Sequence, residues 1–463
     1  MSSTHNTPEL AQGLKQRHVT MLSLAGVIGA GLFVGSGYAI AKAGPGVLLA
    51  YVAAGLLVIL VMRMLAEMAV ASPDTGSFST YADRSIGRWA GFSIGWLYWW
   101  YWVLTIPIEA NIAAVILHSW FPDVAVWVFA LVITTVLTAT NLFSVKNYGE
   151  FEFWFALLKV IAIIAFIVIA AAAAFGWVPG SQVSGLGNIV DHGFLPNGLG
   201  AVVGALMITM FSFMGTEIVT IAAAESKDSS RQISRATNSV IWRIFLFYLV
   251  SIFLIVGLVP WDSSRLAEVG PYQTVLELIG LPYAKLVVDI VILVAVTSCL
   301  NSAVYTASRM LFSLGARGDA PTLTKRVASN GTPCWAVLIS TAAAFLAVFA
   351  NYVAPTKVFE VLVASSGSIA LLVYLVIAIS QLRSRYKSQA RGERLAFKMW
   401  LFPGLTWAVI VFIVGVLILM LVLPENRAET LGTGLLAILV ITASLLVERR
   451  RKAERDVRVV LEH

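Results

Sequence analysis

Charge is scarce in this chain: 12% of its 463 residues are Asp, Glu, Lys or Arg, while 59% are hydrophobic. A water-soluble chain of this length needs far more charge to clothe its surface, which excludes an ordinary soluble globular protein. Cysteine is scarcer still. Cys299 and Cys334 cannot make a disulfide framework, and neither belongs to a metal-spaced cluster. The five histidines (His5, His18, His118, His192 and His463) are scattered mostly over loops and tails, so no HExxH-type or triad arrangement is available. No cleavable leader is expected: the stretch to Arg17 is polar, and the first apolar block lacks a small-residue cleavage site. The net charge of +7 does not indicate nucleic acid, because of where the basic residues fall.

The abundant apolar residues come in long blocks, with a mean hydropathy of +0.85. Blocks of spanning length occur at 19–41, 46–71, 89–117, 124–143, 151–175, 198–224, 239–259, 285–314, 334–352, 358–382, 402–423 and 431–447. They predict an all-α integral membrane protein with twelve transmembrane helices and both termini on one side. Counting residues at span edges, 26 of the 32 Lys and Arg fall on that side. Lys42, Arg265, Lys285, Lys357 and Arg427 fall on the other, and Lys159 lies inside a span. The positive-inside rule then puts both termini in the cytoplasm. Residues 1–18 read as a cytoplasmic tail, and the basic run in 448–463 as a solvated anchor.

Two spans are interrupted. The first carries Gly26, Gly29, Gly31 and Gly35, each costing a helix about 1 kcal/mol relative to alanine. The sixth carries Phe211, Ser212, Phe213, Met214, Gly215, Thr216 and Glu217, a polar, glycine-bearing break in an apolar helix. These are matching positions if residues 19–175 and 198–382 are two five-helix repeats, and paired interruptions mark a midplane binding site in inverted-repeat transporters. Freed amides at one broken end receive a carboxylate, and freed carbonyls at the other receive an ammonium, which suits a zwitterion. Close GxxxG packing through Gly31 and Gly35 is the other reading of the first span. The matching break in the sixth favours the binding site.

Ionisable groups at membrane depth are costly and therefore candidates for function. Arg63 with Glu67, and Lys285 with Asp289, are each four residues apart and read as structural pairs. Lys159 has no acidic neighbour one turn onward, and Glu152 reads as too far towards the interface to neutralise it. Lys159 either exchanges a coupling proton or serves as a permanent cation holding helices together. Glu109, after Pro107, and Glu217, just past the sixth-span break, either relay protons and contact a gate or hydrogen-bond two spans. Ser298, Cys299, Asn301, Ser302 and Tyr305 form a polar stripe, lining a cavity or bonding between helices. The aromatic cluster 96–102 reads mainly as interfacial belt or packing, with one or two rings available to gate a cavity.

The chain resembles the amino acid–polyamine–organocation superfamily, in its bacterial amino acid permease branch, through LKQRHVTMLSLAGVIGAGLFVGSG, SVKNYGEFEFWFALLKVIAIIAF, NSAVYTASRMLFSL and RGDAP. Within the branch it is similar to the γ-aminobutyrate permeases through MRMLAEMAVASPDTGSFSTYAD, IGRWAGFSIGWLYWW, ITMFSFMGTEIVTIAAAES and SSGSIALLVYLVIAISQLR. The resemblance implies a leucine-transporter-like core of two inverted five-helix repeats (19–383), with helices 1 and 6 discontinuous. Two peripheral helices (384–447) follow. It implies proton-coupled import across the bacterial inner membrane by alternating access, with a proton gradient as driving force and no cofactor or metal.

By the same likeness, the substrate carboxylate meets the amides of Ala30 and Gly31, and the ammonium faces carbonyls at Val27, Phe211 and Met214. Phe211 covers the substrate, with Ser212, Gly215 and Ser302 completing the lining. Lys159 looks like the lysine standing at the second sodium site of sodium-driven relatives, beside the Gly26 region and the Ser298/Ser302 face. Glu109, Glu217 and Ser298 join it as coupling or gating residues. Partners are then a small zwitterion, protons and lipid, without nucleic acid. No single residue demands the charge spacing of γ-aminobutyrate, so alanine or proline transport, or exchange instead of symport, remain the alternatives. A channel or a membrane enzyme fits less well, since no nucleophile–base pair, metal cluster or phosphate loop is present.

Overall fold

The computed structural model describes residues 15–21, 28–143, 145–191, 193–224, 228–353 and 355–462. Among these the regular elements are all helical, as lipid demands of backbone that must satisfy its own hydrogen bonds. α1 (Gln16–Met21) comes first. A π-helical turn, Gly31–Gly35, leads into α2 (Ser36–Ala43), and Gly44, with φ of 61°, opens the turn to α3 (Val47–Ala71). The apolar stretch Gly31–Ala71 holds 41 residues. Straight, it would reach about 60 Å, twice the hydrocarbon thickness of a bilayer, and the turn at Gly44–Gly46 divides it.

After α4 (Ser77–Ser85) come α5 (Arg88–Trp120), α6 (Val126–Leu142) and α7 (Val145–Ala174). α8 (Gly198–Phe213) and α9 (Ile218–Ala224) follow, then α10 (Ser229–Arg243), which continues through a π-helical stretch into α11 (Ser251–Leu258). Two short helices, α12 (Arg265–Glu268) and α13 (Pro271–Leu278), precede α14 (Ala284–Ala316). α15 (Cys334–Val353), α16 (Pro355–Ala390), α17 (Gly404–Val422) and α18 (Pro424–Glu462) complete the chain. Among the described residues, nine apolar helical stretches are long enough to cross a membrane, and Val126–Leu142 and Cys334–Leu346 are shorter ones.

α5 and α14 pack along each other at the centre, each 67% buried over its most apolar window. The same windows of α17 and α18 are only 28% and 17% buried, which places those helices at the periphery. α2 is held tightly: a methyl on its Gly37 would lie 2.0 Å from the carbonyl oxygen of Leu266 in α12.

Charged contacts sit mostly at helix ends. Lys285 does pair with Asp289, at 2.7 Å. Glu67 finds its partner on a different helix from the one expected: it accepts from Arg385 (2.8 Å) and Gln381 (3.0 Å) of α16 and from the Met399 amide (2.6 Å). Arg63 instead lays its guanidinium over Phe397 and Trp400. Removing one partner of a buried ion pair strands the other, so Glu67→Ala should destabilise the protein by about 3 kcal/mol. The check is the melting midpoint of the purified variant in detergent. At the far end of α14, Asp319 of the RGDAP segment bonds Arg88 at 2.7 Å. Burial pushes its carboxyl up, and the guanidinium groups of Arg88 and Arg317 pull it back.

Candidate functional site

The interruption between α8 and α9 sets the geometry. Met214 takes an extended conformation (ψ 139°) and Gly215 a φ of 102°, a left-handed value that glycine adopts without strain. The Gly215 N–H, which an unbroken helix would direct to the Phe211 carbonyl, turns to both carboxylate oxygens of Glu217, at 3.0 and 3.1 Å. Tyr98 of α5 donates to the same carboxylate at 2.8 Å. The Ser212 carbonyl accepts from Tyr248 at 3.0 Å, and the Phe213 carbonyl from Thr216 at 2.7 Å. Glu217 therefore sits at the break itself and holds it open.

The first helix meets this break edge-on. Ile28 and Gly29 are non-helical, and helix begins at Ala30. The Ala30 N–H points at the Glu109 carboxylate, 3.4 and 3.3 Å from its two oxygens. Gly31 lies so close to α8 that a methyl there would stand 2.7 Å from the Ser212 Cα. At Gly35 the nearest atom would be 3.6 Å away, an ordinary contact. The close approach is thus made by one glycine of the GxxxG pair, at the level of the break. Between the helices lies a cavity of about 10 Å³, room for one water. Its walls come from Gly29, Gly31, Phe211, Ser212 and Met214 on the interrupted segments, and from Tyr101, Trp102, Thr105, Glu109 and Cys299 on α5 and α14.

Lys159 of α7 is fully buried and reaches this region from the side. Its ammonium donates to the Ile28 carbonyl at 3.0 Å and to the Ser298 hydroxyl at 2.9 Å. Ser298 in turn donates to Glu152 at 2.6 Å, and Asn301 donates to the other Glu152 oxygen at 2.8 Å. The expectation that Glu152 lies too far towards the interface to meet Lys159 is overturned. The two share a face two turns apart, and α14 supplies the hydroxyl that spans the gap.

The structure thus gathers Gly31, Phe211, Ser212, Met214 and Glu109 around one cavity, with Ala30, Gly215 and Glu217 beside it. Lys159 and Ser298 contact the Ile28 turn at its edge. Ser302 is placed elsewhere, next to the Tyr148 hydroxyl at 3.3 Å, because it lies a turn beyond Ser298 along α14. Val27 and the Gly26 region lie outside the described residues. Thr105 was not expected in the lining; Cys299 takes the cavity-lining alternative of its stripe, and Tyr101 and Trp102 are the two rings of the aromatic cluster that reach the cavity. A signal existed: Tyr98, Trp102, Thr105 and Glu109 follow one another at helical spacing, so one stripe of α5 runs from the Glu217 contact to the cavity. The belt reading fails for Tyr98, Tyr101 and Trp102, all of which are buried. Among the described residues, no group of three or more His, Cys, Asp or Glu could hold a metal ion.

Known proteins resemble this chain. The family described as amino acid permease matches residues 18–457. A probable GABA permease of Pseudomonas aeruginosa is 66% identical, over 96% of this chain and 94% of that one. The gamma-aminobutyric acid permease of Escherichia coli is 62% identical, over 98% of this chain and 97% of its own length. Among solved structures, a manganese transporter of Eremococcus coleocola aligns with a TM-score of 0.58 over 97% of this chain and 100% of that one. Its sequence is 14% identical, a likeness of fold alone. Similarity that extends along almost the entire chain, helices and connections together, places it: this multi-pass membrane protein belongs to the amino acid permease family and is a transporter, not an enzyme.

Proposed function

We propose that the protein imports γ-aminobutyrate by proton symport with alternating access. It does so across the bacterial inner membrane, with both termini cytoplasmic. The architecture in this reading is twelve spans: two inverted repeats of five helices, with helices 1 and 6 discontinuous, and two peripheral helices. The substrate follows from the names of the 66% and 62% identical relatives.

The observation carrying the coupling is the Glu109 carboxylate on the Ala30 amide. That amide is where a substrate carboxylate is expected to dock. Two carboxylates sharing one site cannot both remain ionised at low cost. An arriving substrate therefore displaces Glu109 and favours its protonation, so substrate and proton load together. Release of the substrate on the cytoplasmic side lets Glu109 lose its proton and return to the amide. The substrate ammonium is met by the Phe211 carbonyl, freed when Glu217 captures the Gly215 N–H. Phe211 and Tyr101, with ring centroids 6.4 Å apart, cover the cavity. No cofactor enters this cycle; the proton gradient supplies the driving force.

The test is uptake of labelled γ-aminobutyrate into proteoliposomes, with and without an inward proton gradient. Accumulation is expected only with the gradient, and it should resist excess alanine or proline. Uptake that requires substrate preloaded inside would make the protein an exchanger, and no uptake at all would remove the substrate assignment.

A further inference from the structure

We infer that Glu152 is the cytoplasmic-side acceptor of the coupling proton, taking it from Lys159 through the Ser298 hydroxyl; this rests on the proton-coupled reading above. The hydrogen bonds are already oriented for such a step. Lys159 Nζ donates to Ser298 Oγ, and the same hydroxyl donates to Glu152 Oε2, so one serine both accepts and gives. A proton leaving Nζ for Ser298 Oγ, with the serine's own proton passing to Oε2, turns ammonium into amine and carboxylate into acid. The serine ends unchanged except for the direction of its O–H. Both charges vanish from a fully buried, low-dielectric setting, where keeping them is costly. The Lys159 amine then takes the proton that Glu109 gives up as substrate leaves, restoring the ammonium, and Glu152 passes its own proton to the cytoplasm.

Position supports the direction of transfer. Lys159 lies roughly 20 Å into α7 from its start at Val145, and Glu152 about half that depth. In the proposed orientation, Glu152 is thus one step closer to the cytoplasm. Asn301 steadies its second oxygen and is held in turn by Asn141 of α6 at 2.7 Å. Among the described residues, the titratable groups around it are few. On its own helix they are Lys159 and Tyr148, whose hydroxyl meets Ser302; on α14, Cys299 adjoins Ser298. Glu109 of α5 stands beyond Lys159. From α1, His18 and Arg17 are spent on Glu150. α11 carries no charged side chain, and α13 meets α7 through Tyr272 and Phe166, nearer the opposite end.

A static counter-ion for Lys159 would explain the burial but predicts a different outcome on substitution. In proteoliposomes of the full chain, gradient-driven net uptake and substrate counterflow are measured across pH for the wild type, Glu152→Gln, Glu152→Asp and Ser298→Ala. Counterflow needs no net proton movement. The ratio of net uptake to counterflow should fall about 100-fold in Glu152→Gln, the size of a lost proton-transfer group, and its pH profile should flatten. Ser298→Ala should change both readouts in the same direction, and Glu152→Asp should recover part of the loss.

An unaltered ratio and pH profile in Glu152→Gln and Ser298→Ala overturns the inference. So does an equal loss of net uptake and counterflow in both, which is the mark of a merely structural role. A wild type indifferent to the gradient removes the symport reading itself, visible before any variant is compared.

Discussion

Glu109→Gln is expected to bind and exchange γ-aminobutyrate yet fail to concentrate it against a gradient. Glutamine is nearly isosteric, and its amide oxygen can still accept from the Ala30 N–H, so the 3.3–3.4 Å contact has a neutral substitute. What is lost is ionisation. A neutral acceptor holds the amide about half as strongly as a carboxylate, so an incoming substrate displaces it more easily. Displacement then binds no proton. The accumulation ratio under an imposed gradient should drop about 100-fold, while counterflow persists. In the wild type, apparent affinity should weaken as pH rises, because an ionised Glu109 competes for the docking amide; in the variant that slope should disappear. Gradient-dependent accumulation in Glu109→Gln would move the coupling proton to another group.

The second large effect is steric. Gly31→Ala puts a methyl 2.7 Å from the Ser212 Cα and 2.8 Å from its Oγ, and backbone cannot yield as a flexible side chain can. The two interrupted segments must separate, and such overpacking typically costs about 1–3 kcal/mol. Because Gly31 and Ser212 both wall the cavity, separation alters the site along with stability. Transport in Gly31→Ala should fall by about tenfold or more, the free-energy equivalent of 1.4 kcal/mol, and Gly31→Val should be inactive. Gly35→Ala is the control, since its nearest neighbour would be Ile208 at 3.6 Å, and it should transport normally. Equal sensitivity at both positions would mean that plain helix packing governs this face.

Class and site were legible to different depths. The membrane class was plain because a helix that crosses lipid must be long and apolar, and that constraint writes itself directly into composition. The sixth-span break was equally plain, since Gly215 and Glu217 violate the run around them. Glu152 was missed for a different reason. Its link to Lys159 depends on Ser298, more than a hundred residues onward, and no spacing rule on one helix anticipates a bridge supplied by another. Glu67 went to Arg385 rather than to Arg63 for the same cause. Ser302 was assigned by its shared face with Ser298, but a further turn along α14 carried it past the cavity to Tyr148. The aromatic cluster mixed two populations, and only its alignment with Thr105 and Glu109 separates the buried rings from the lipid-facing ones.

The contact between Gly37 and Leu266 bears on how such a machine can move. Sliding of one element over another requires side chains to ride past each other, and here a backbone carbonyl sits where even a first carbon would not fit. We expect a contact this close to carry α2 and α12 together when either moves. Any excursion of α2 would then draw the connector ahead of α14 with it. On that expectation the loop acts as a lever arm, with the bending concentrated in hinges elsewhere along the chain.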